Sequence, residues 1–140
     1  PKFGEYAAAK AKAKAAPPGP EKEKKDLPKL LILTGTASGD RIMRMQMGRF
    51  FKAAEEKFEC FVYEGEKECN NVEAMEIMSK YFKGSPMKMY DELVFDERNW
   101  RCYQNIEETL ERMQAVMKKE GPFEGVLGFS QGANFSVMLA

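Results

Sequence analysis

The chain has 140 residues, enough for one domain or part of one, and its 22 basic and 22 acidic residues cancel to a formal net charge of zero. The chain has no excess of positive charge that would indicate a nucleic-acid partner. No apolar run approaches the ~20 residues that a membrane-spanning helix needs, so we expect no membrane span. Three cysteines without metal-ligand spacing favour structural thiols in an intracellular, reducing compartment; they are Cys60, Cys69 and Cys102. Whether that compartment is the cytoplasm or an organelle stays open.

Residues 1–28 form a segment of low complexity. Ala and Lys alternate over residues 7–16, and three prolines between positions 17 and 20 would interrupt any helix. The first 29 residues carry eight Lys and four acids, so the basic excess lies here. This composition cannot bury enough apolar area to offset the entropy of ordering. We predict a flexible tail or linker; an arm that docks on a partner and the remnant of a targeting peptide stay open as alternatives.

From Lys29 onward the sequence alternates between strand-like and helix-like patterns. Residues 30–33 are a short apolar run bounded by proline and glycine, which is typical of a buried strand. Asp40 is a plausible N-cap, and apolar residues recur at helical spacing from there to Phe58. Residues 60–63 are the next predicted strand.

Residues 66–99 are the hardest part of the sequence to interpret. The spacing of methionines and Phe82 within residues 72–82 is compatible with a helix, and residues 90–95 with a short extended segment. No histidine or paired ligand spacing accompanies the acidic cluster in this region, so we interpret that cluster as a solvated face; it consists of Asp91, Glu92, Asp96 and Glu97.

A clear helix pattern follows at Asn105, which precedes Glu108 by three positions in a variant of the capping box. An apolar stripe runs through this helix to Met117, and Gly121 ends it. Residues 123–128 then read as a strand, and residues 133–140 as the start of another helix. The alternation predicts an α/β fold, with a parallel sheet between layers of helices.

The last strand leads into Gly128-Phe129-Ser130-Gln131-Gly132, a nucleophile-elbow motif. Such a turn is so tight that side chains at the two flanking glycines would clash, and it exposes the serine hydroxyl. The N-terminus of the following helix would stabilise negative charge. Ser130 is therefore the predicted nucleophile, and the alternative is a tight turn with an incidental serine.

An oxyanion hole needs two donors near this serine. The amide of Gln131 is positioned to be the first. The second should come from the loop after another strand, where the amide of Thr36 is the natural candidate. The usual base is missing, because the 140 residues contain no histidine. We predict no metal site and no cofactor.

The sequence resembles the family serine hydrolase (FSH) group of the α/β-hydrolase superfamily. The resemblance is strongest over residues 103–140 and rests on Gly-Pro-Phe-Glu-Gly-Val-Leu-Gly-Phe-Ser-Gln-Gly-Ala, residues 121–133. Trp100 stands where the family tends to carry a tryptophan, and residues 29–39 align with the family's opening segment. The resemblance covers about residues 29–140, weakly through the middle. It implies the N-terminal half of a three-layer α/β-hydrolase-like domain that hydrolyses an ester or thioester through an acyl-Ser130 intermediate.

Two departures from the family pattern bear on activity. Thr34 stands where the family has histidine, and the family's catalytic acid and histidine lie downstream of the elbow, beyond Ala140. We expect the natural chain to continue past Ala140, so that the domain is truncated here after the elbow helix. Two alternatives stay open: a degenerate relative that serves as a non-catalytic structural or interaction subunit, and a missing half supplied by another chain.

The expected partners follow from these alternatives. An active enzyme would bind a small-molecule ester or thioester. Protein partners could use the N-terminal tail, an open edge of the sheet beside the elbow strand, or a methionine-rich surface. The ten methionines are more typical of core filling, with a soft interaction surface as the alternative.

Overall fold

The structure, a computed structural model, describes residues 26–140. The predicted tail, residues 1–28, therefore lies outside the described residues except for its last three positions. The strands are β1 (Lys29–Leu33), β2 (Glu59–Tyr63), β3 (Lys67–Glu68), β4 (Lys88–Met89), β5 (Leu93–Phe95), β6 (Arg101–Tyr103) and β7 (Gly125–Gly128). The helices are α1 (Asp40–Gln46), α2 (Gly48–Ala54), α3 (Val72–Tyr81), α4 (Ile106–Glu120) and α5 (Gln131–Leu139).

The three strands predicted from apolar runs form one parallel sheet in the order β2-β1-β7. Leu31 in the central strand pairs with Phe61 on one side and with Val126 on the other. All three strands therefore end at the same edge of the sheet. This confirms the predicted parallel sheet and places the loop after β1 beside the elbow after β7.

Helices cover both faces of this sheet, as the period-two alternation of side chains in β1 requires. Leu31 and Leu33 point to one face, where they pack with Met113 of α4 and Phe135 of α5. Ile32 points to the other face and packs with residues of α1 and α2. The fold is thus a three-layer α/β/α arrangement, which confirms the predicted architecture.

The single helix expected between Asp40 and Phe58 is divided into two short helices. The first ends at Gln46 and the second begins at Gly48. The break falls at Met47, whose φ of −113° and ψ of 30° depart from helical values. Gly39, and not Asp40, is the N-cap of α1.

The middle of the chain forms small antiparallel pairs and one helix. Strand β3 pairs with β4, and β5 with β6. Helix α3 confirms the pattern within residues 72–82, and β5 confirms part of the extended segment. The pairing of β3 with β4 and the strand β6 were not predicted, since strands of two or three residues show too little alternation to be detected.

The interpretation of the acidic cluster was wrong for one of its members. Asp91 is fully buried, with 0% of its surface exposed, whereas Asp96 and Glu97 are exposed as expected. Sequence composition could not separate the two kinds of carboxylate, because the groups that solvate Asp91 lie elsewhere in the chain.

The methionines and cysteines lie partly in the interior and partly on the surface. Met43, Met89 and Met113 are buried core residues, whereas Met45 and Met138 are exposed. The three cysteines are free, and Cys102 is exposed; the reducing compartment stays a prediction. Among residues 26–140, no helix combines the length and apolarity that crossing a membrane requires.

Candidate active site

Ser130 lies in the tight turn between β7 and α5. Its backbone has φ 53° and ψ −120°, a conformation that residues other than glycine rarely adopt. The residue is exposed at the carboxyl end of the sheet. Such strained, outward-facing positions are characteristic of functional turns.

Two glycines make this turn possible, because the backbone passes extremely close to them. A Cβ atom on Gly128 would lie 2.1 Å from the carbonyl oxygen of Gly132. A Cβ atom on Gly132 would lie 2.4 Å from the carbonyl oxygen of Leu33 and 2.5 Å from that of Thr34. The strand, the turn and the first turn of α5 therefore pack directly against the end of β1.

The loop after β1 touches the elbow. A Cβ atom on Gly35 would lie 3.1 Å from the Cβ of Ser130. Thr36 in this loop and Gln131 in α5 share a cavity of about 230 Å³. Its other lining residues are Asn70, Asn71, Met89, Asp91 and Leu93. The loop that carries Thr36 therefore lies against the elbow, and Thr36 and Gln131 line one cavity, although Ser130 is not among its lining residues.

The amides of these two residues are available as donors. Gln131 is the first residue of α5, so its amide has no acceptor within the helix. Within residues 26–140 the amide of Thr36 also has no hydrogen-bond acceptor. Free amides at a helix N-terminus and in an adjacent loop are the groups from which oxyanion holes are built.

The side chain of Gln131 has a separate structural role. It is buried, and its Oε1 accepts a hydrogen bond of 2.8 Å from the amide of Tyr90. Its Nε2 donates a hydrogen bond of 2.8 Å to the carbonyl oxygen of Asp91. The carboxamide therefore ties the start of α5 to the segment between β4 and β5.

Tyr90 is the residue at the centre of this polar network. The amide of Thr34 donates to the Tyr90 hydroxyl at 2.6 Å, and that hydroxyl in turn donates to the carbonyl oxygen of Tyr63. Burial raises the pKa of Tyr90 to about 12, although the hydrogen bonds with Thr34 act in the opposite direction. Burial also raises the pKa of Tyr63, and its hydrogen bond with Glu66 adds to that effect.

Asp91 fixes the same segment to the start of α4. Its Oδ2 accepts a 2.7 Å hydrogen bond from the amide of Asn105, and its Oδ1 accepts one of 2.8 Å from the amide of Glu92. Lys67 lies 3.4 Å from Oδ1. Asn105 is the N-cap of α4, but its side chain approaches Asp91 and makes no capping bond. The capping box expected from the sequence is therefore replaced by a longer-range contact.

Sequence reasoning missed Tyr90 and Asp91 as residues of the site. Tyr90 bonds to partners 56 and 27 residues away in the chain, and Gln131 reaches it over 41 residues. No periodicity or local motif records contacts of this range. Two polar residues directly after Met89 of β4 were the one available signal.

The groups that would activate Ser130 are not visible in this part of the chain. Within residues 26–140 no side chain forms a hydrogen bond with the Ser130 hydroxyl. The same residues contain no cluster of three or more acids or cysteines that could hold a metal ion.

Comparison with known proteins gives a family match over most of the chain. The family model described as "Serine hydrolase (FSH1)" matches residues 24–140. Esterase alnB from Emericella nidulans is 30% identical over 111 residues, which are 79% of this chain and 35% of that esterase. The chain therefore spans about a third of that protein's length.

Shorter segments of the chain also match two other hydrolases. Esterase OVCA2 from Danio rerio is 53% identical over 34 residues, or 24% of this chain and 15% of that protein. Hydrolase FUB4 from Fusarium oxysporum is 42% identical over 41 residues, or 29% of this chain and 15% of that protein. No solved structure matches the chain significantly.

Proposed function

Because the chain belongs to the serine hydrolase (FSH1) family, we propose that Ser130 is the nucleophile of an enzyme that hydrolyses a small-molecule ester or thioester. One observation carries the proposal: Ser130 is exposed in a strained turn between the central sheet and the N-terminus of α5. The names of two relatives, Esterase alnB and Esterase OVCA2, support an ester as the substrate.

The reaction would proceed through an acyl-enzyme. A general base removes the hydroxyl proton of Ser130, and Oγ attacks the carbonyl carbon of the substrate. The negative charge that develops on the carbonyl oxygen is stabilised by the amides of Gln131 and Thr36. Collapse of the tetrahedral intermediate expels an alcohol or thiol, which takes up the proton from the base. Water then hydrolyses the acyl-Ser130 ester and regenerates the hydroxyl.

The base is not a histidine of these 140 residues, since they contain none. We propose that it is supplied by a residue outside them, either in the same polypeptide or in a partner chain. Ser130 is an exposed residue, which leaves room for such a group to approach from solvent.

Pre-steady-state hydrolysis of p-nitrophenyl acetate tests this function in the natural protein. A burst of nitrophenol equal to the enzyme concentration is expected, followed by slower turnover. Ser130→Ala should abolish the burst. Ser136→Ala is the matched control, because Ser136 lies in the same helix and its hydroxyl donates to the carbonyl oxygen of Ala133; it should keep the burst.

The second candidate function is that of a non-catalytic subunit in a larger assembly. Exposed apolar side chains favour it, since Val137 on α5 is 78% exposed and Trp100 is 69% exposed. A folded natural protein that shows neither a burst nor turnover would support this role and contradict the enzymatic one.

A further inference from the structure

We propose that Tyr90 is a positioning residue for the oxyanion hole, because it joins the carboxyl ends of all three parallel strands. This inference rests on the proposed function of Ser130. It concerns Tyr90, which the mechanism above does not use.

The hydroxyl of Tyr90 makes the first connection, between β1 and β2. It accepts a hydrogen bond of 2.6 Å from the amide of Thr34, directly after β1. It donates its own proton to the carbonyl oxygen of Tyr63, the last residue of β2. Thr34 is two residues before Thr36, so this contact fixes the start of the loop that presents the Thr36 amide.

The backbone of Tyr90 makes the second connection, to the elbow after β7. Its amide donates to Oε1 of Gln131 at 2.8 Å, and the neighbouring carbonyl of Asp91 accepts from Nε2 at the same distance. The backbone amide of Gln131 is the other proposed oxyanion donor. One buried residue is thus bonded to both elements that supply the hole.

The surroundings of Tyr90 hold it in one place. Only 3% of its surface is exposed, and its ring packs against Tyr63 and against Phe135, with ring centroids 5.7 and 5.9 Å apart. Asp91 continues the segment and is bonded to the amide of Asn105 at the start of α4. A tyrosine hydroxyl is protonated at neutral pH, as the role of Tyr90 as donor to Tyr63 requires, and burial raises the pKa of Tyr90 further.

A residue in this position should affect the transition state more than substrate binding. Oxyanion donors act only when they lie within hydrogen-bond distance of the developing charge, and a misplacement of ~1 Å can lower the rate on the order of 100-fold. If the hydroxyl of Tyr90 is removed, the loop after β1 loses its bond at Thr34 while the ring packing is retained. The Thr36 amide would then be free to move relative to that of Gln131.

The test compares Tyr90→Phe with Tyr103→Phe in the full natural protein. Tyr103 is the matched control, because its ring also packs against Phe135 and its hydroxyl bonds to a side chain, Asn134, instead of the strand ends. Tyr90→Phe should lower kcat about 10- to 100-fold and leave KM within about threefold. Affinity for a trifluoromethyl ketone, which forms a tetrahedral adduct with the serine, should fall in parallel. Tyr103→Phe should change each quantity less than about threefold.

Several results would overturn the inference. They are a wild-type kcat in folded Tyr90→Phe, a change confined to KM, or an equal loss of kcat in Tyr90→Phe and Tyr103→Phe. If Tyr90→Phe does not fold, Gln131→Met removes the other connection and keeps the amide of residue 131. A lower kcat with unchanged KM then supports the inference, and a wild-type kcat contradicts it. An unreactive Ser130 in the wild-type protein would instead defeat the proposed function, and this inference with it.

Discussion

Two regions meet at the candidate site, and different forces hold them. The elbow region, β7 and α5, is held by close backbone packing, since Gly128 and Gly132 leave no room for a Cβ atom against the neighbouring carbonyls. The segment between β4 and α4 is held by side-chain bonds to distant backbone groups, above all those of Tyr90 and Asp91. The elbow should therefore be sensitive to added volume, and the second region to the loss of polar groups.

The largest effect is expected from Gly132→Ala. The added Cβ would meet the carbonyl oxygens of Leu33 and Thr34, which belong to the central strand and the residue after it and cannot retreat. We expect a loss of more than about 4 kcal/mol in the free energy of unfolding, measured by urea denaturation. Gly48→Ala is the control, because nothing lies within 4 Å of its Cβ position. Similar stabilities for the two variants would contradict the packing argument.

The next largest loss of stability is expected from Asp91→Ala, which tests the segment between β4 and α4. The change removes a fully buried carboxylate and leaves the half-buried amides of Glu92 and Asn105 without their acceptor, and we expect it to cost about 3 kcal/mol. Asp96→Ala also removes a side chain that accepts from backbone amides, but at an exposed turn, and should cost under about 1 kcal/mol. Thermal or urea unfolding measures both. Equal costs would show that burial does not distinguish the two carboxylates.

Alkaline pH should weaken the same region through Tyr90. Burial raises its folded-state pKa from 10 to about 12 and raises that of Tyr63 as well. The folded state holds these protons more tightly than the unfolded state does. The resulting stabilisation of the fold is complete below about pH 10 and is lost as the pH rises towards 12. For Tyr90 the loss is about 2–3 kcal/mol. Urea midpoints between pH 8 and 12 should decline less steeply in Tyr90→Phe than in the wild type. Identical declines would contradict the assignment.

The hydrogen bond by which Asn71 caps α3 should contribute least to the stability of the protein. Oδ1 of Asn71 accepts a 3.0 Å hydrogen bond from the amide of Ala74 and caps α3. Asn71→Ala should therefore destabilise the protein by about 1 kcal/mol. Asn70→Ala, at an exposed neighbouring residue outside the cap, should stay within about 0.5 kcal/mol in the same denaturation assay. A cost for Asn71 as large as that for Asp91 would remove the distinction between local and long-range bonds.

The parts predicted from sequence are those that local patterns encode. Residues 30–33, 60–63 and 123–128 are apolar runs, and they became the three strands of the sheet with boundaries shifted by no more than two residues. The elbow sequence placed Ser130 in the turn between the last strand and the last helix. Tyr90 and Asp91 could not be assigned a role, because the backbone groups that bond to them come from β1, β2 and α4. Asp91 therefore resembled a surface carboxylate, although its own side chain is fully buried.

Labelling by a fluorophosphonate tests whether Ser130 is an activated nucleophile. The reagent forms a covalent phosphonyl ester only with an activated serine, and peptide mass spectrometry locates the adduct. We expect a single adduct on Ser130 in the natural protein, absent from Ser130→Ala and retained in Ser136→Ala. A folded natural protein that remains unlabelled, or that is labelled at another serine, would contradict it.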